Sequence, residues 1–186
     1  MPDAPGLVVI SGYPATGKTS LAVHLSTELA FPLVSKDLVK EKLFDVLGAG
    51  DNEWSHLLGR ASMAVLYAQA GAILGSGNGV VAEANFDAEL ATRDLAKLVT
   101  EHQVPVCQVI LQADPEALVA RAKERGESGE RHPGHNEQWL IAELEKMVAT
   151  PYVPPELPGP CFEVDVTDLE AVDLDDVTRR VREALA

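Results

Sequence analysis

The sequence predicts an α/β protein in three layers, a parallel sheet with helices packed on both faces. Three observations carry that prediction. Apolar runs of about four to eight residues recur along the chain without polar alternation, as in strands buried on both faces. Each run is followed by apolar residues at helical spacing, and strands that alternate with helices favour parallel pairing through right-handed crossovers. The first strand–helix unit also encloses a glycine loop of defined spacing.

That unit is Leu7-Val8-Val9-Ile10-Ser11-Gly12-Tyr13-Pro14-Ala15-Thr16-Gly17-Lys18-Thr19-Ser20. Leu7 to Ile10 form the strand. Gly12 through Thr19 match the phosphate-loop pattern G-x-x-x-x-G-K-[ST] without a substitution. Leu21, Leu25 and Leu29 recur at i, i+4, i+8 in the following helix. Gly12 and Gly17 can take conformations closed to other residues and let the main chain approach a polyphosphate. The loop N–H groups and the positive helix end then face the anion. Lys18 is expected to reach the β- and γ-phosphates and the Thr19 hydroxyl to ligate Mg²⁺. The pattern predicts binding of a nucleoside triphosphate.

Residues 31–35 read as a second strand, and residues 36 to about 47 as a helix stopped by Gly48. Asp37 lies where that strand ends and the helix begins, on the sheet edge that usually faces ligand. A long alanine-rich helix is expected from Trp54 to about Leu74, broken by Gly75-Ser76-Gly77-Asn78-Gly79. Residues 80–84 make the third strand, with Glu83 near its end. A helix over 87–102 follows, then a fourth strand over 104–111 and a helix from Pro115 to about Arg125. A polar loop spans 126–135, a helix 136 to about 148, and a Pro-rich connector 151–160. The fifth strand is expected over 161–166 and the closing helix over 172–185. Neither an internal repeat nor a second domain is read in the chain.

With 186 residues, 46% hydrophobic and 24% charged, the chain falls among ordinary globular single domains. No apolar run approaches the roughly 18–20 residues of a membrane span, and residues 1–6 lack the form of a signal peptide. Cys107 and Cys161 lie in predicted strands and are read as buried thiols of a cytoplasmic protein. The net charge of −14 argues against a broad nucleic-acid surface. Against that acidic background, Arg121, Lys123, Arg125 and Arg131 fall close together.

Phosphoryl transfer needs a base, a carboxylate on the metal side and cations over the γ-phosphate. Asp37 is the candidate base; its other reading is a helix N-cap. Glu83 is the metal-side candidate, with substrate contact or the base role as alternatives. Asn85 and Asp87 line the same edge or cap the next helix. Arg121 and Arg125 share a helix face, and Arg131 stands on a glycine-rich segment. Together these read either as a lid closing over the nucleotide or as a solvated helix end balanced by Glu124, Glu127 and Glu130. His132 and His135 are given a substrate or hinge role in preference to zinc. Trp54, His56 and Arg60 are read as a pocket wall or as packing, and Trp139 as packing.

The phosphate loop, Ser35-Lys36-Asp37, the 80–86 strand VVAEANF and the 110–127 stretch ILQADPEALVARAKERGE together resemble the small P-loop kinases. This is the nucleoside-monophosphate-kinase-like group, including predicted kinases akin to polynucleotide kinase, zeta toxins and chloramphenicol phosphotransferase. The resemblance implies a three-layer P-loop NTPase fold, a five-stranded sheet of order 2-3-1-4-5, and a helical lid over about 121–140. It implies ATP–Mg²⁺ as donor, Asp37 as base, Arg125 and Arg131 on phosphate, Arg121 beside the adenine, and Val166, Thr167 and Asp168 near the base. Glu83 departs from the aspartate common in the group, and the 131–135 segment RHPGH from its better-known lids.

The expectation is therefore an ATP- and Mg-dependent kinase acting on a hydroxyl of a small molecule, such as a natural product, a sugar-like metabolite or a nucleoside. Competing readings are a 5′-hydroxyl polynucleotide kinase and a nucleotide-dependent switch. The expected state is monomer or homodimer, with no membrane partner.

Overall fold

The computed structural model describes residues 5–128 and 132–186. Five strands, β1 (Leu7–Gly12), β2 (Leu33–Ser35), β3 (Val80–Glu83), β4 (Val106–Gln112) and β5 (Cys161–Asp165), form one sheet. Its order is β2-β3-β1-β4-β5, and every pairing is parallel. The helices are α1 (Lys18–Leu29), α2 (Lys36–Leu47), α3 (Asn52–Gly75), α4 (Ala88–His102), α5 (Pro115–Ser128), α6 (Glu137–Met147) and α7 (Leu174–Leu185). A 3-10 turn, Leu169–Ala171, precedes α7.

Strand alternation divides the core. Val8, Ile10, Cys107 and Val109 point to one face, against Leu21 and Leu25 of α1 and Val177 and Val181 of α7. Leu7, Val9, Val80 and Ala82 point to the other, against Leu66 and Ala70 of α3 and Leu95 of α4. Each fully buried Val, Leu or Ile contributes roughly 1.5–3 kcal/mol by leaving water. A smaller cluster joins Leu118 and Ala122 of α5 to Leu144 of α6, with Tyr13 and Ala15 against it.

The departures from the sequence reading have local causes. The second strand begins at Leu33 and not at Phe31. Ala30 ends α1 in the left-handed region at φ 54°, and Phe31 instead fills the space beside Gly79, where a Cβ would lie 2.2 Å from its ring. Asp51 accepts from Trp54 N at 2.9 Å, which starts α3 earlier than expected. At 24 residues, α3 is long and apolar enough by length and composition to cross a membrane. Its apolar residues are too interspersed to make an unbroken run, and Leu58, Leu66, Ala70 and Leu74 bury one stripe in the protein. Cys107 is buried as expected, but Cys161 is exposed, because β5 is an edge strand whose buried position is Val164.

Candidate functional site

The C-terminal ends of β1, β2 and β3 set the site. Register pairs both Ile10 and Ser35 with Glu83, so the phosphate loop, the start of α2 and the end of β3 emerge side by side. Gly12 leaves β1 at φ 136°, where a Cβ would meet Leu111 O at 2.3 Å; no other residue fits. Gly17 occupies the cap position of α1 at φ 81° and makes no side-chain cap bond. The first turn of α1 is thus left to an external anion, and Gly17, Lys18, Thr19 and Ser20 line the cavity before it.

Lys18 is 7% exposed, and its ammonium donates to Tyr13 O at 2.6 Å and Thr16 Oγ1 at 3.4 Å. Burial lowers its pKa to about 8, against the upward pull of Glu83 and Asp37. Glu83 is 3% exposed; it accepts from Ser35 Oγ at 2.6 Å and stands 3.5 Å from Thr19 Oγ1. Burial pushes this carboxyl up, while Lys18 and Ser35 pull it down. For both groups, desolvation outweighs their mutual attraction, as expected where two opposite charges are taken out of water together.

Asp37 lies one residue inside α2, and Ser35 holds the cap position. The cap reading of Asp37 is therefore set aside. Its carboxylate pairs with Lys36 Nζ at 2.8 Å, is 39% exposed, and lines the cavity with Lys18 and Glu83. Asp87 fulfils both of its readings: it caps α4 by accepting from Leu90 N at 3.1 Å, and it lines the cavity beside Asn85.

The cavity measures about 760 Å³ and runs from the phosphate loop between α2, α3, α4 and α6. Arg125 reaches it, close enough to depress the Lys18 pKa. Arg121 does not line it. Instead Arg121 donates to Thr167 O at 2.7 Å, while Thr167 Oγ1 accepts from Asp114 N at 3.0 Å. The turn after β5 comes against Gly17, whose Cβ would lie 3.4 Å from Leu169. Arg131 lies outside the described residues. His56 and Arg60 line the pocket but Trp54 does not; Trp54 donates to Gly48 O. Trp139, expected only to pack, is a cavity residue set edge-on to His56 at 5.3 Å.

Two neighbours of the site escaped the sequence reading. Lys40 is nearly buried in the cavity wall and donates to Ser55 Oγ at 2.8 Å. Only its position one helical turn after Asp37 hinted at this. Tyr152, from the Pro-rich connector, donates to Phe86 O at 2.5 Å, contacts the Ser11 hydroxyl and meets the Tyr13 ring edge-on at 5.4 Å. It braces the root of the phosphate loop from 141 residues away in sequence. No local signal announces such a contact.

Comparison with known proteins places this geometry. Residues 7–150 match the family described as AAA domain. No curated protein matches the sequence significantly. Among solved structures, a Chloroflexus aurantiacus protein to which kinase activity is ascribed shares 35% identity over 97% of this chain and 96% of its own, with a TM-score of 0.86. Chaetomium thermophilum Kti12, solved with ADP-AlF3, shares 20% identity over 97% and 99%, with a TM-score of 0.69. The Mycobacterium tuberculosis APS kinase, solved with AMPPNP and APS, shares 16% over 99% of both chains, with a TM-score of 0.60. The sheet order and the phosphate loop are those of the P-loop kinase fold.

Proposed function

The chain belongs to the AAA domain family, and from that membership and the cavity geometry we propose an ATP- and Mg-dependent kinase that phosphorylates a hydroxyl of a small molecule. One observation carries the proposal: Lys18, Glu83, Asp37 and Arg125 converge on a single cavity that continues past the phosphate loop. That continuation gives an acceptor its own place.

The loop from Gly12 to Ser20 and the first turn of α1 cradle the phosphates, and Lys18 neutralises charge on the β- and γ-groups. Thr19 would ligate Mg²⁺ and Glu83 would hold one of its waters; the buried, hydroxyl-bonded carboxylate fits that use. Held by those residues, the metal would offset charge on the transferring phosphoryl group. Asp37 takes the proton of the acceptor hydroxyl. The acceptor oxygen bonds to the γ-phosphorus while the bond from phosphorus to the bridging oxygen breaks, and ADP keeps that electron pair. Asp37 is favoured over Glu83 as base because it is half-exposed to the cavity, whereas Glu83 is buried among hydroxyl donors. Arg125 and Arg131 are assigned to the transferring phosphoryl, and Arg121 and Thr167 to the nucleoside end through the turn they hold against Gly17.

The cavity is also lined by Met63, Tyr67, Trp139 and Leu140 and by the carboxylates Asp87, Asp94 and Glu143. The apolar side chains suit a compact acceptor with an apolar body, and the net charge of −14 disfavours a nucleic-acid backbone. The two free cysteines agree with work in the cytoplasm.

The test is ADP release from Mg·ATP with and without pooled antibiotics, sugars, nucleosides and 5′-hydroxyl oligonucleotides. Stimulation by one small-molecule pool is expected. Asp37→Asn should remove it by roughly 10²–10⁴-fold while ATP affinity stays near normal, and Lys18→Ala should abolish it. Stimulation only by oligonucleotides, or full turnover in Asp37→Asn, would overturn the assignment.

A further inference from the structure

We propose that His132-Pro133-Gly134-His135 is a clamp on α2 that seats one wall of the acceptor pocket and so tunes which acceptors fit. The four residues connect to α6 through Asn136. They grip Glu41, Phe44 and Asp45, which lie at i, i+3 and i+4 on a single face of α2.

The grip is specific in its chemistry. Gly134 N–H donates to His132 Nδ1 at 3.0 Å, so that nitrogen carries no proton. The proton sits on Nε2, which donates to Asp45 Oδ1 at 2.9 Å. The His132 ring stacks on the buried Phe44 ring at 5.7 Å and 11°. His135 meets the same ring edge-on at 5.6 Å, with its Nε2 3.4 Å from Glu41 Oε1 and its side chain only 6% exposed. Lys40 Nζ also stands 5.3 Å from the centroid of that ring. Gly134 is required by proximity, since a Cβ there would lie 2.5 Å from Phe44.

The consequence falls on α6. Asn136 caps it by accepting from Trp139 N at 3.0 Å, and its amide donates to Asn52 Oδ1 at 3.4 Å. Trp139 then rests against His56 of α3, and Trp139, Leu140 and Glu143 face the cavity. The N-terminal end of α6 is thus tied to α2 by the histidines and to α3 by Asn136 and Trp139. His132 is a positioning residue that acts on the acceptor through Trp139, whereas His135 itself lines the cavity; both leave the phosphate loop untouched. Their role in acceptor choice rests on the kinase reading, while the placement of the wall can be measured without it.

The experiment uses a Trp54→Phe background, in which Trp139 is the remaining tryptophan, and reads acrylamide quenching of its fluorescence. His132→Asn keeps an acceptor for Gly134 N–H but cannot reach Asp45; His132→Gln reaches Asp45. Quenching should rise roughly twofold in His132→Asn and in Gly134→Ala and stay at the starting value in His132→Gln. AMPPNP affinity should stay within about twofold throughout. With the pool that stimulates ADP release, KM for the acceptor should rise in His132→Asn while kcat and KM for ATP hold. Unchanged quenching in both His132→Asn and Gly134→Ala, an equal rise in His132→Gln, or loss of AMPPNP affinity would each overturn the clamp. If no pool stimulates turnover, the kinase reading fails and the quenching result still decides the clamp.

Discussion

Burial holds the Lys18 ammonium at a pKa of about 8, although Glu83 and Asp37 pull it upward. A polyphosphate seated beside it adds negative charge and raises it again, so nucleotide binding must take up a proton wherever the free lysine has lost one. From a starting value of about 8, uptake should be about 0.1 proton per nucleotide at pH 7, about 0.5 at pH 8 and about 0.9 at pH 9. Affinity should accordingly fall roughly fivefold from pH 8 to pH 9, because binding favours the charged form and that form is lost as pH rises. Protein stability should move the opposite way. The unfolded lysine keeps its proton to about 10.5, so the unfolded state binds more protons between about 8 and 10.5 and folding gains with pH by up to roughly 3 kcal/mol. The assay is calorimetric titration with Mg·AMPPNP in buffers of low and high ionisation enthalpy. Uptake that stays flat from pH 7 to pH 9, or that survives in Lys18→Met, would refute the buried-lysine account.

Two further outcomes follow from contacts far from that lysine. Tyr152→Phe strips the hydroxyl from the buried Phe86 O, while Ser11 keeps Ala84 O and Phe86 N as partners. It should lower stability by about 1–3 kcal/mol in thermal melts and weaken AMPPNP binding, since the loop root loses its brace. In the native protein a thiol reagent should modify Cys161 and spare Cys107 until the chain is unfolded, giving one fast and one slow thiol; two slow thiols would contradict the exposed β5 edge.

Local chemistry was legible where one stretch of chain carries its own constraint. Residues 7–20 announced strand, loop and helix because the glycines, the lysine and the apolar run act over adjacent positions. The order of the sheet was reached through resemblance, and the parallel pairing through alternation of elements. What stayed hidden depends on contacts across the chain. Tyr152 reaches Ser11 only after α6 and the connector have folded back, and Cys161 is exposed only because β5 falls at an edge. Trp139 looked like packing because a tryptophan on an amphipathic helix is most often core; which side of α6 faces a cavity is decided by α3. The histidine loop resisted reading for the same reason, since its partner Phe44 sits on another helix.

The two ends of α6 are anchored by different parts of the fold, and that has a mechanical result. Just beyond its C-terminus, Thr150 O accepts from the Tyr13 hydroxyl at 2.6 Å, and Leu144 is locked between Leu118 and Ala122. Among the described residues, the other end is held by the Asn136 contact to Asn52 and by the histidine contacts to α2. Eleven residues make a lever about 16 Å long, so a tilt of roughly 10° about the Tyr13 end displaces the Asn136 end by roughly 3 Å. The pocket wall is therefore pinned at two points, beside Met147 through the phosphate-loop tyrosine and beside Trp139 through the histidine clamp. Bulk added to a ligand at either end works against a contact, and at the Trp139 end a swing of the helix must first loosen the histidine grip on α2.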